Sequence, residues 1–303
     1  METRRPVRYF PNCGRRTMPA EFGKSPRPLP AYPLLAPGKP GSDAIEAYER
    51  DGVVWIKQAF APSWIHRLAQ GMEIAIEQGT GRDTAFNIAA PGEPGFFFYD
   101  TFMWQRIPQF RDFAFESDAA DIARHIMRSR GLLFYFDFML VKEPGTSRKT
   151  PWHYDEAYWP VQGNQICNLW TALDTIPVET ALRFVKGSHL WPESYRAVHF
   201  DPALRYANLP DRPAPPDWEN ESGNHEIVYA PMEPGDCLVF HSRTHHSAPG
   251  NRPGTTRRRA LATHWIGDDI TYNDKPQETD PPYRGENLRH GGSMECRTFP
   301  RVR

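Results

Sequence analysis

The sequence has no run of about 18 apolar residues that would cross a membrane, few cysteines and almost no net charge. The formal net charge of −1 argues against the dominant basic surface that a nucleic-acid-binding protein needs. No apolar stretch follows the basic residues near the start, so we expect no secretory signal. The cysteines show no paired spacing and favour reduced thiols in a cytoplasmic protein over a disulfide framework; they are Cys13, Cys167, Cys237 and Cys296.

Proline and glycine are abundant instead, with 31 and 22 residues among 303. They indicate many turns, and together with 39% hydrophobic and 13% aromatic residues they favour a β-rich barrel or jelly roll. We expect one main domain at 42–272 and a proline-rich arm at 1–41 before it. A polar tail at 273–303 would either close over the domain or stay disordered, and a proline-rich insertion at 206–223 is a candidate lid.

Hydrophobic periodicity places helices and strands within this domain. We expect helices at 42–48, with Ser42 as N-cap, at 62–78 and at 118–130. The predicted strands are rich in aromatic and β-branched residues or end at turn signals. They span 52–56, 132–141, 165–173, 237–241 and 258–265.

Two segments suggest the chemistry, namely 152–155 (Trp-His-Tyr-Asp) and 240–246, which contains three histidines. In an extended strand, residues i and i+2 face the same side, so His153 and Asp155 would grip one metal ion together. A third ligand from the later segment would complete a two-His-one-carboxylate set, which suits non-haem Fe(II) oxygenases. The pair alone is weak evidence, since a His beside an Asp also arises by chance in loops. The candidate third ligands are His241, His245 and His246.

A series of ordered motifs is more specific than this pair. The chain resembles the phytanoyl-CoA dioxygenase family of Fe(II)- and 2-oxoglutarate-dependent oxygenases over roughly 43–269. The resemblance implies a mainly β fold with flanking α-helices, built on a double-stranded β-helix core of the jelly-roll or cupin-like kind. The motifs that carry it lie at 141–146, 150–155, 169–174, 187–189, 234–236, 246–247 with Asn251, and 258–261.

The resemblance also assigns roles in the metal site. The distal histidine of the family is followed by a small residue and a loop containing Asn, which matches His246, with His245 as the second choice. His241 would then support the site through a hydrogen bond or pack in the core, and His189 would be a structural turn residue.

Three consecutive arginines lie where the family binds the far carboxylate of 2-oxoglutarate. A guanidinium forms a bidentate pair with a carboxylate, and insertions are usually absorbed in loops, which favours Arg258 over Arg257. The two remaining arginines, Arg257 and Arg259, would share the opposite face of the strand. Thr150 and Trp170 match further residues that line the co-substrate pocket of relatives.

The predicted function is hydroxylation of an unactivated C–H bond in a small organic molecule, with Fe(II), 2-oxoglutarate and O2 used as the family requires and succinate and CO2 released. Tyr158 and Trp159 would contact a substrate that is apolar or carries rings, although aromatic residues also fill ordinary cores. Desaturation, epoxidation and ring closure are competing outcomes on the same scaffold. Two further hypotheses are a non-catalytic jelly roll that binds a metal or small ligand, and a zinc hydrolase.

Overall fold

The structure is a computed structural model, and it describes residues 25–82, 84–221, 223, 225–252, 254–282 and 286–303. Most of the predicted N-terminal arm, residues 1–24, and Cys13 with it, therefore lie outside the described residues. Cys167 and Cys237 are buried free thiols, and Cys296 is also unpaired. Within the described ranges, no helix is both long and apolar enough to cross a membrane.

The described residues form four α-helices and seventeen strands. The helices are α1 (Ser42–Asp51), α2 (Pro62–Glu77), α3 (Pro108–Glu116) and α4 (Ala119–Ile126). The strands in chain order are β1 (Arg27–Pro28), β2 (Ala31–Tyr32), β3 (Leu34–Ala36), β4 (Lys39–Pro40), β5 (Val53–Ile56), β6 (Ala85–Asn87), β7 (Phe97–Thr101), β8 (Leu133–Lys142), β9 (Thr150–His153), β10 (Val161–Gln162), β11 (Ile166–Ala172), β12 (Arg183–Val185), β13 (Ile227–Tyr229), β14 (Cys237–His241), β15 (His246–Ala248), β16 (Arg258–Ile266) and β17 (Thr271–Tyr272).

Two sheets form the core of the protein. The larger has eight strands in the order β2-β5-β14-β11-β16-β8-β7-β6, and the smaller has five in the order β1-β13-β12-β15-β9. Their internal pairs are antiparallel, while the N-terminal strands β1 and β2 join the edges in parallel. This arrangement, mainly β with flanking helices, confirms the predicted fold class, with two separate sheets in place of one closed barrel.

The alternation of side chains along β11 shows how the larger sheet is covered on both faces. Cys167 and Leu169 belong to the apolar cluster that contains the helices, whereas Trp170 belongs to the cluster between the two sheets. From the smaller sheet, Phe184 and Val228 pack into that second cluster. A strand buried on both faces is apolar almost throughout, and all of β11 is buried. The inner face left between the sheets is where the polar site residues lie.

The helices differ from prediction in detail. Ser42 is not the N-cap of α1, because Gly41 holds the extended cap conformation and its carbonyl already accepts from Ile45. The predicted helix at 118–130 ends earlier, since Arg128 adopts a left-handed φ of 50°. Helix α3 was not predicted, although Pro108 at its first position is a recognised start signal.

The C-terminal tail packs on the domain. The amide of Phe134 donates to the carbonyl of Pro300 at 2.9 Å, and that of Val302 donates to Leu132 at 2.9 Å. Met294 and Phe299 are buried in the cluster that also contains Tyr158 and Trp159. The tail is therefore packed against β8 and against this cluster.

Candidate metal centre and its two cavities

Three side chains from two strands and a turn converge between the sheets. His153 ends β9 and His246 begins β15, and the two residues face each other directly across this antiparallel pair. Asp155 Oδ1 lies 3.4 Å from His153 Nε2 and 3.8 Å from His246 Nε2. One ligand atom from each residue falls within 4.8 Å of the others. We call His153, Asp155 and His246 the triad.

The route by which Asp155 reaches the triad differs from the predicted one. Strand β9 ends at His153, and Asp155 starts a 3-10 turn that runs to Ala157. The prediction that His153 and Asp155 share one face of an extended strand is therefore wrong, although the turn still brings the two side chains together. Tyr154 does face away, since its hydroxyl donates to the carbonyl of Tyr195 at 2.9 Å.

Backbone carbonyls set the tautomer of both histidines. His153 Nδ1 lies 2.8 Å from the carbonyl oxygen of Pro151, and His246 Nδ1 lies 2.9 Å from that of Thr244. A carbonyl oxygen only accepts, so each Nδ1 carries the proton and each Nε2 keeps a free lone pair. This hydrogen-bonding pattern is typical of metal-ligating histidines.

The charge state of the triad also suits a cation. Burial, followed by the neighbouring His153, lowers the pKa of His246 to about 4. Burial alone would raise the pKa of Asp155, but His246 and His153 hold it below its ordinary value. At neutral pH the triad therefore combines a neutral His246 with a carboxylate, and this donor set fits a divalent transition metal.

Asn168 supports Asp155 and was not predicted from the sequence. It lies on β11 with its side chain between the sheets, and its Nδ2 donates to Asp155 Oδ2. Oδ1 is left on the side of the two histidines. Only the pairing of β11 with its neighbours places Asn168 there, so no local sequence signal marks it.

Replacing Asn168 by alanine is expected to lower Fe(II) affinity by about 10- to 100-fold, the usual cost of losing a residue that orients a metal ligand. The reason is that Asp155 would be free to rotate its Oδ1 away from the histidines. Anaerobic competition with a chromogenic chelator measures this affinity. Thr171→Ala on the same strand is the control, because Thr171 is buried on the opposite face of β11, away from Asp155. Equal affinities for wild type and Asn168→Ala would contradict the role.

The remaining candidate histidines lie elsewhere. His245 is turned away from the triad, and its Nδ1 accepts from Trp218 Nε1 at 3.1 Å. His241 Nε2 donates to the carbonyl of Asn164 at 2.9 Å, and its Nδ1 accepts from the amide of Arg243. His189 packs in its turn and donates to the carbonyl of Glu49. Of the three histidines in 240–246, the structure brings only His246 to Asp155.

Acidification is expected to destabilise the metal-free protein, because burial lowers the pKa of His241 to about 3 and that of His264 to about 4. Histidines of the unfolded chain titrate near 6.5. Below that pH the unfolded state binds more protons, so the free energy of unfolding falls as pH drops from about 6.5 towards 4. Each such histidine adds a slope of up to about 1.4 kcal/mol per pH unit.

Urea unfolding at about pH 7, 6 and 5 would measure this slope. His241→Asn removes one such histidine at a position away from the triad. The dependence of the unfolding free energy on pH should then become shallower by the contribution of one proton, up to about 1.4 kcal/mol per pH unit. A slope unchanged in His241→Asn would contradict the expectation.

The side chains of the three consecutive arginines alternate in direction, with Arg257 just before β16 and the other two at its start. Arg257 pairs with Glu73 and Glu143, and Arg259 pairs with Asp174 and Glu73. Arg258 points the other way and is only 3% exposed. Its Nη1 donates to the carbonyl of Thr180, and it has no carboxylate partner among the described residues.

Arg258 and the triad line one cavity, which we call the arginine cavity. Along the inner face of β16, Arg258 and His264 are separated by Ala260 and Ala262, whose small side chains leave room above the sheet. Burial lowers the pKa of Arg258 to about 10, so the guanidinium stays charged at neutral pH. An uncompensated buried cation at one end and a metal-type donor set at the other match a ligand with two acidic ends.

Thr150 and Trp170 also line the arginine cavity. Thr150 Oγ1 accepts a hydrogen bond from Lys142 Nζ at 3.1 Å. Lys142 is fully buried, and burial followed by the neighbouring Arg258 lowers its pKa well below the ordinary value. Sequence reasoning missed Lys142, because a lysine at the end of an apolar strand looks like an exposed terminal residue.

A second cavity, which we call the aromatic cavity, shares His153, Asp155 and His264 with the first. Tyr158 and Trp159 line it, together with two residues that were not predicted, Tyr206 and Asp280. The Tyr206 hydroxyl donates to Asp280, so the predicted lid segment and the tail meet at this wall. Each of the two cavities has a volume of about 50 Å³. A larger groove of about 730 Å³ opens beside Thr150 and includes no residue of the triad.

The two facing sheets with a two-His-one-carboxylate centre between them define a jelly-roll protein of the non-haem oxygenase type. The sequence profile described as "Phytanoyl-CoA dioxygenase (PhyH)" matches residues 48–260. The chain therefore belongs to the phytanoyl-CoA dioxygenase family, which confirms the family predicted from the ordered motifs.

Curated relatives and solved structures agree with this assignment. The chain is 28% identical over 259 residues to the multifunctional dioxygenase prhA of Penicillium brasilianum, covering 78% of this chain and 75% of the relative. The carbocyclase SnoK from nogalamycin biosynthesis, described as non-haem and α-ketoglutarate-dependent, superposes with a TM-score of 0.67 at 24% identity, over 87% of this chain and 96% of SnoK. EctD from S. alaskensis, solved with 2-oxoglutarate and 5-hydroxyectoine, gives a TM-score of 0.61 at 17% identity, over 84% and 85%. These likenesses confirm the jelly-roll fold, and the relative's name agrees with the predicted dioxygenase class.

Proposed function

We propose that the protein is an Fe(II)- and 2-oxoglutarate-dependent dioxygenase that hydroxylates a C–H bond of a small organic molecule. The observation that carries the proposal is the convergence of the triad and Arg258 on one cavity. Related proteins support the cofactors, since the epimerase SnoN was solved with Fe3+ and α-ketoglutarate. The overall reaction consumes one O2 and one 2-oxoglutarate and yields succinate, CO2 and the hydroxylated product.

Each site residue has a distinct part in this proposal. The triad would hold Fe(II), which with 2-oxoglutarate supplies the oxidising power for C–H cleavage. Arg258 would bind the far carboxylate, and the Thr150 hydroxyl and Trp170 ring would line the same end of the cavity. Asn168 keeps Asp155 in place. The apolar walls of the cavity exclude water from the pair formed by Arg258 and the far carboxylate, which strengthens their electrostatic attraction.

The substrate would occupy the aromatic cavity, where Tyr158 and Trp159 are its nearest predicted contacts. Rings on most sides favour an apolar or ring-bearing molecule. A volume of about 50 Å³ is far below the 300–1,000 Å³ of pockets for drug-sized ligands. The wall formed by Phe200, Tyr206 and Asp280 would therefore have to move during substrate entry, consistent with the predicted lid at 206–223.

Another oxidative outcome is the second candidate. SnoK is described as a carbocyclase and SnoN as an epimerase, so this fold supports reactions other than hydroxylation. All of them need the same metal and co-substrate site, and product analysis distinguishes them. A hydroxylase adds one oxygen atom to its substrate, whereas ring closure or desaturation removes two hydrogen atoms.

Anaerobic titration of the Fe(II)-loaded protein with 2-oxoglutarate tests the proposal directly. A weak visible metal-to-ligand charge-transfer band should appear and saturate, and admitting O2 should then release succinate slowly even without the true substrate. No band with iron confirmed bound would overturn the proposal in favour of a metal-binding jelly roll. Activity with Zn2+ and no O2 requirement would favour a hydrolase. The cytoplasmic location stays a prediction.

A further inference from the structure

A third cavity, of about 310 Å³, lies behind the 3-10 turn that carries Asp155. Four parts of the chain line it: the turn itself, the loop at 194–197 with 210–212, Arg243 between β14 and β15, and the tail at 273–277. Neither Asp155 nor Arg258 lines this cavity, so it is separate from the arginine cavity. We call it the basic pocket, after the four residues Arg196, Arg212, Arg243 and Lys275 that line it.

No carboxylate among the described residues lies within salt-bridge distance of these four cations, although Lys275 and Arg243 interact electrostatically with Glu156. The side-chain hydrogen bonds of the cluster go to backbone carbonyls, from Arg243 Nη2 to Trp191 O at 2.8 Å and from Lys275 Nζ to Glu156 O at 3.0 Å. Glu156 supplies the single carboxylate that lines the pocket. Its Oε2 is buried and lacks a hydrogen-bond partner in the part of the chain described.

This arrangement contrasts with that of several half-buried arginines elsewhere in the molecule. Arg82, Arg106, Arg257 and Arg259 each contact at least one carboxylate. In the basic pocket, burial lowers the pKa of Lys275 and the nearby Arg212 lowers it further, although Glu156 opposes this. Gathering like charges in a partly desolvated space costs free energy unless an opposite charge joins them. An anion is the missing partner that these contacts imply.

We propose that the basic pocket binds an oxyanion of the phosphate type, at a site distinct from the carboxylate anchor Arg258. Guanidinium groups offer planar pairs of donors that match a phosphate, and three of the four cations are arginines. The volume reaches the lower end of the range for small-ligand pockets. The anion is either free in solution or a group borne on a larger molecule.

An anion bound in the basic pocket would also affect the segments that form one wall of the aromatic cavity. The pocket joins Arg212 of the loop to Lys275 of the tail, and the same loop and tail supply Tyr206 and Asp280 to the aromatic cavity. An anion held between the two segments would fasten them to each other and to the turn beside the triad. The pocket thus offers a means of stabilising the closed arrangement of these walls.

Calorimetric titration of the full-length, metal-free protein with inorganic phosphate, at constant ionic strength, tests the proposal. The double variant Arg243→Gln/Lys275→Gln should bind phosphate at least about tenfold more weakly, since a hydrogen bond to a charged group contributes roughly the free energy of a tenfold change or more. Arg212→Gln is the second variant, because Arg212 is exposed and its replacement leaves the packed interior unchanged. It should also weaken binding.

The matched control is Arg205→Gln, whose guanidinium contacts the carbonyls of Pro202 and Leu204 outside the pocket. It should bind phosphate like wild type. Titration with phenyl phosphate distinguishes the two sources of the anion. If phenyl phosphate binds more tightly than inorganic phosphate and the double variant loses this binding, the anion is a group borne on a larger molecule. If the two compounds bind equally, the anion is free in solution. No saturable binding by wild type, or equal binding by all variants, would overturn the proposal. Because neither iron nor 2-oxoglutarate is present, this result is independent of the proposed function.

Discussion

Arg258→Ala is expected to raise the dissociation constant of 2-oxoglutarate by a factor between about 30 and several thousand, while Fe(II) remains bound. Truncating one partner of a buried, hydrogen-bonded charge pair costs about 2–5 kcal/mol of binding free energy. Arg258 is buried in the arginine cavity with no carboxylate partner among the described residues, so the ligand would lose its main counter-charge. The dissociation constant comes from the charge-transfer band in an anaerobic titration, with iron content measured on the same sample.

The neighbouring residue provides a matched control. Arg257→Ala removes the same kind of side chain just before β16, on the side opposite Arg258, where Arg257 contacts Glu73 and Glu143. It should leave 2-oxoglutarate affinity within a factor of about two, since partly exposed pairs contribute about 0–1 kcal/mol. If Arg257→Ala weakens binding and Arg258→Ala does not, the register chosen for the anchor is wrong.

Asp155→Ala is expected to abolish stable Fe(II) binding and succinate formation. The substitution leaves the imidazole nitrogens of His153 and His246 and removes the only carboxylate ligand of the triad. Iron retained after anaerobic gel filtration, together with O2 consumption in the presence of 2-oxoglutarate, measures the effect. Loss of binding in this variant with the fold intact would identify the carboxylate as a ligand.

Two comparisons make the Asp155 experiment specific. Asp112→Asn changes an acidic residue that pairs with Arg67 on the helical face, and it should keep wild-type iron content and turnover. Circular dichroism and unfolding of the metal-free proteins show whether Asp155→Ala has folded. Full iron occupancy in folded Asp155→Ala would refute the assignment of this carboxylate.

The strands and the family were predictable because their signals are local. The apolar runs at 132–141 and 165–173 became β8 and β11 to within one residue at each end. The argument that insertions are absorbed in loops favoured Arg258, and alternation predicted that Arg257 and Arg259 would face the opposite side. The ordered motifs brought His153, Asp155 and His246 into one hypothesis, and the structure places the three side chains together.

The remaining features depend on which segments meet in space. Asn168 reaches Asp155 only because β11 lies beneath the turn that follows β9. Asp280 faces the aromatic cavity because the tail folds back over the sheets. Hydrophobic periodicity in the sequence does not predict where such a tail packs. Lys142 is buried by contacts with the carbonyls of Arg148 and Pro249, which lie in loops that the sequence leaves unplaced.

The placement of the two histidines opposite each other on β9 and β15 has a consequence for folding. Both belong to the smaller sheet, whereas Asn168 and Arg258 belong to the larger one. A bound ion with its co-substrate would thus link the smaller sheet to the larger one. A ligand that binds only the native state stabilises it by mass action, so the free energy of unfolding should increase with the concentrations of free iron and 2-oxoglutarate.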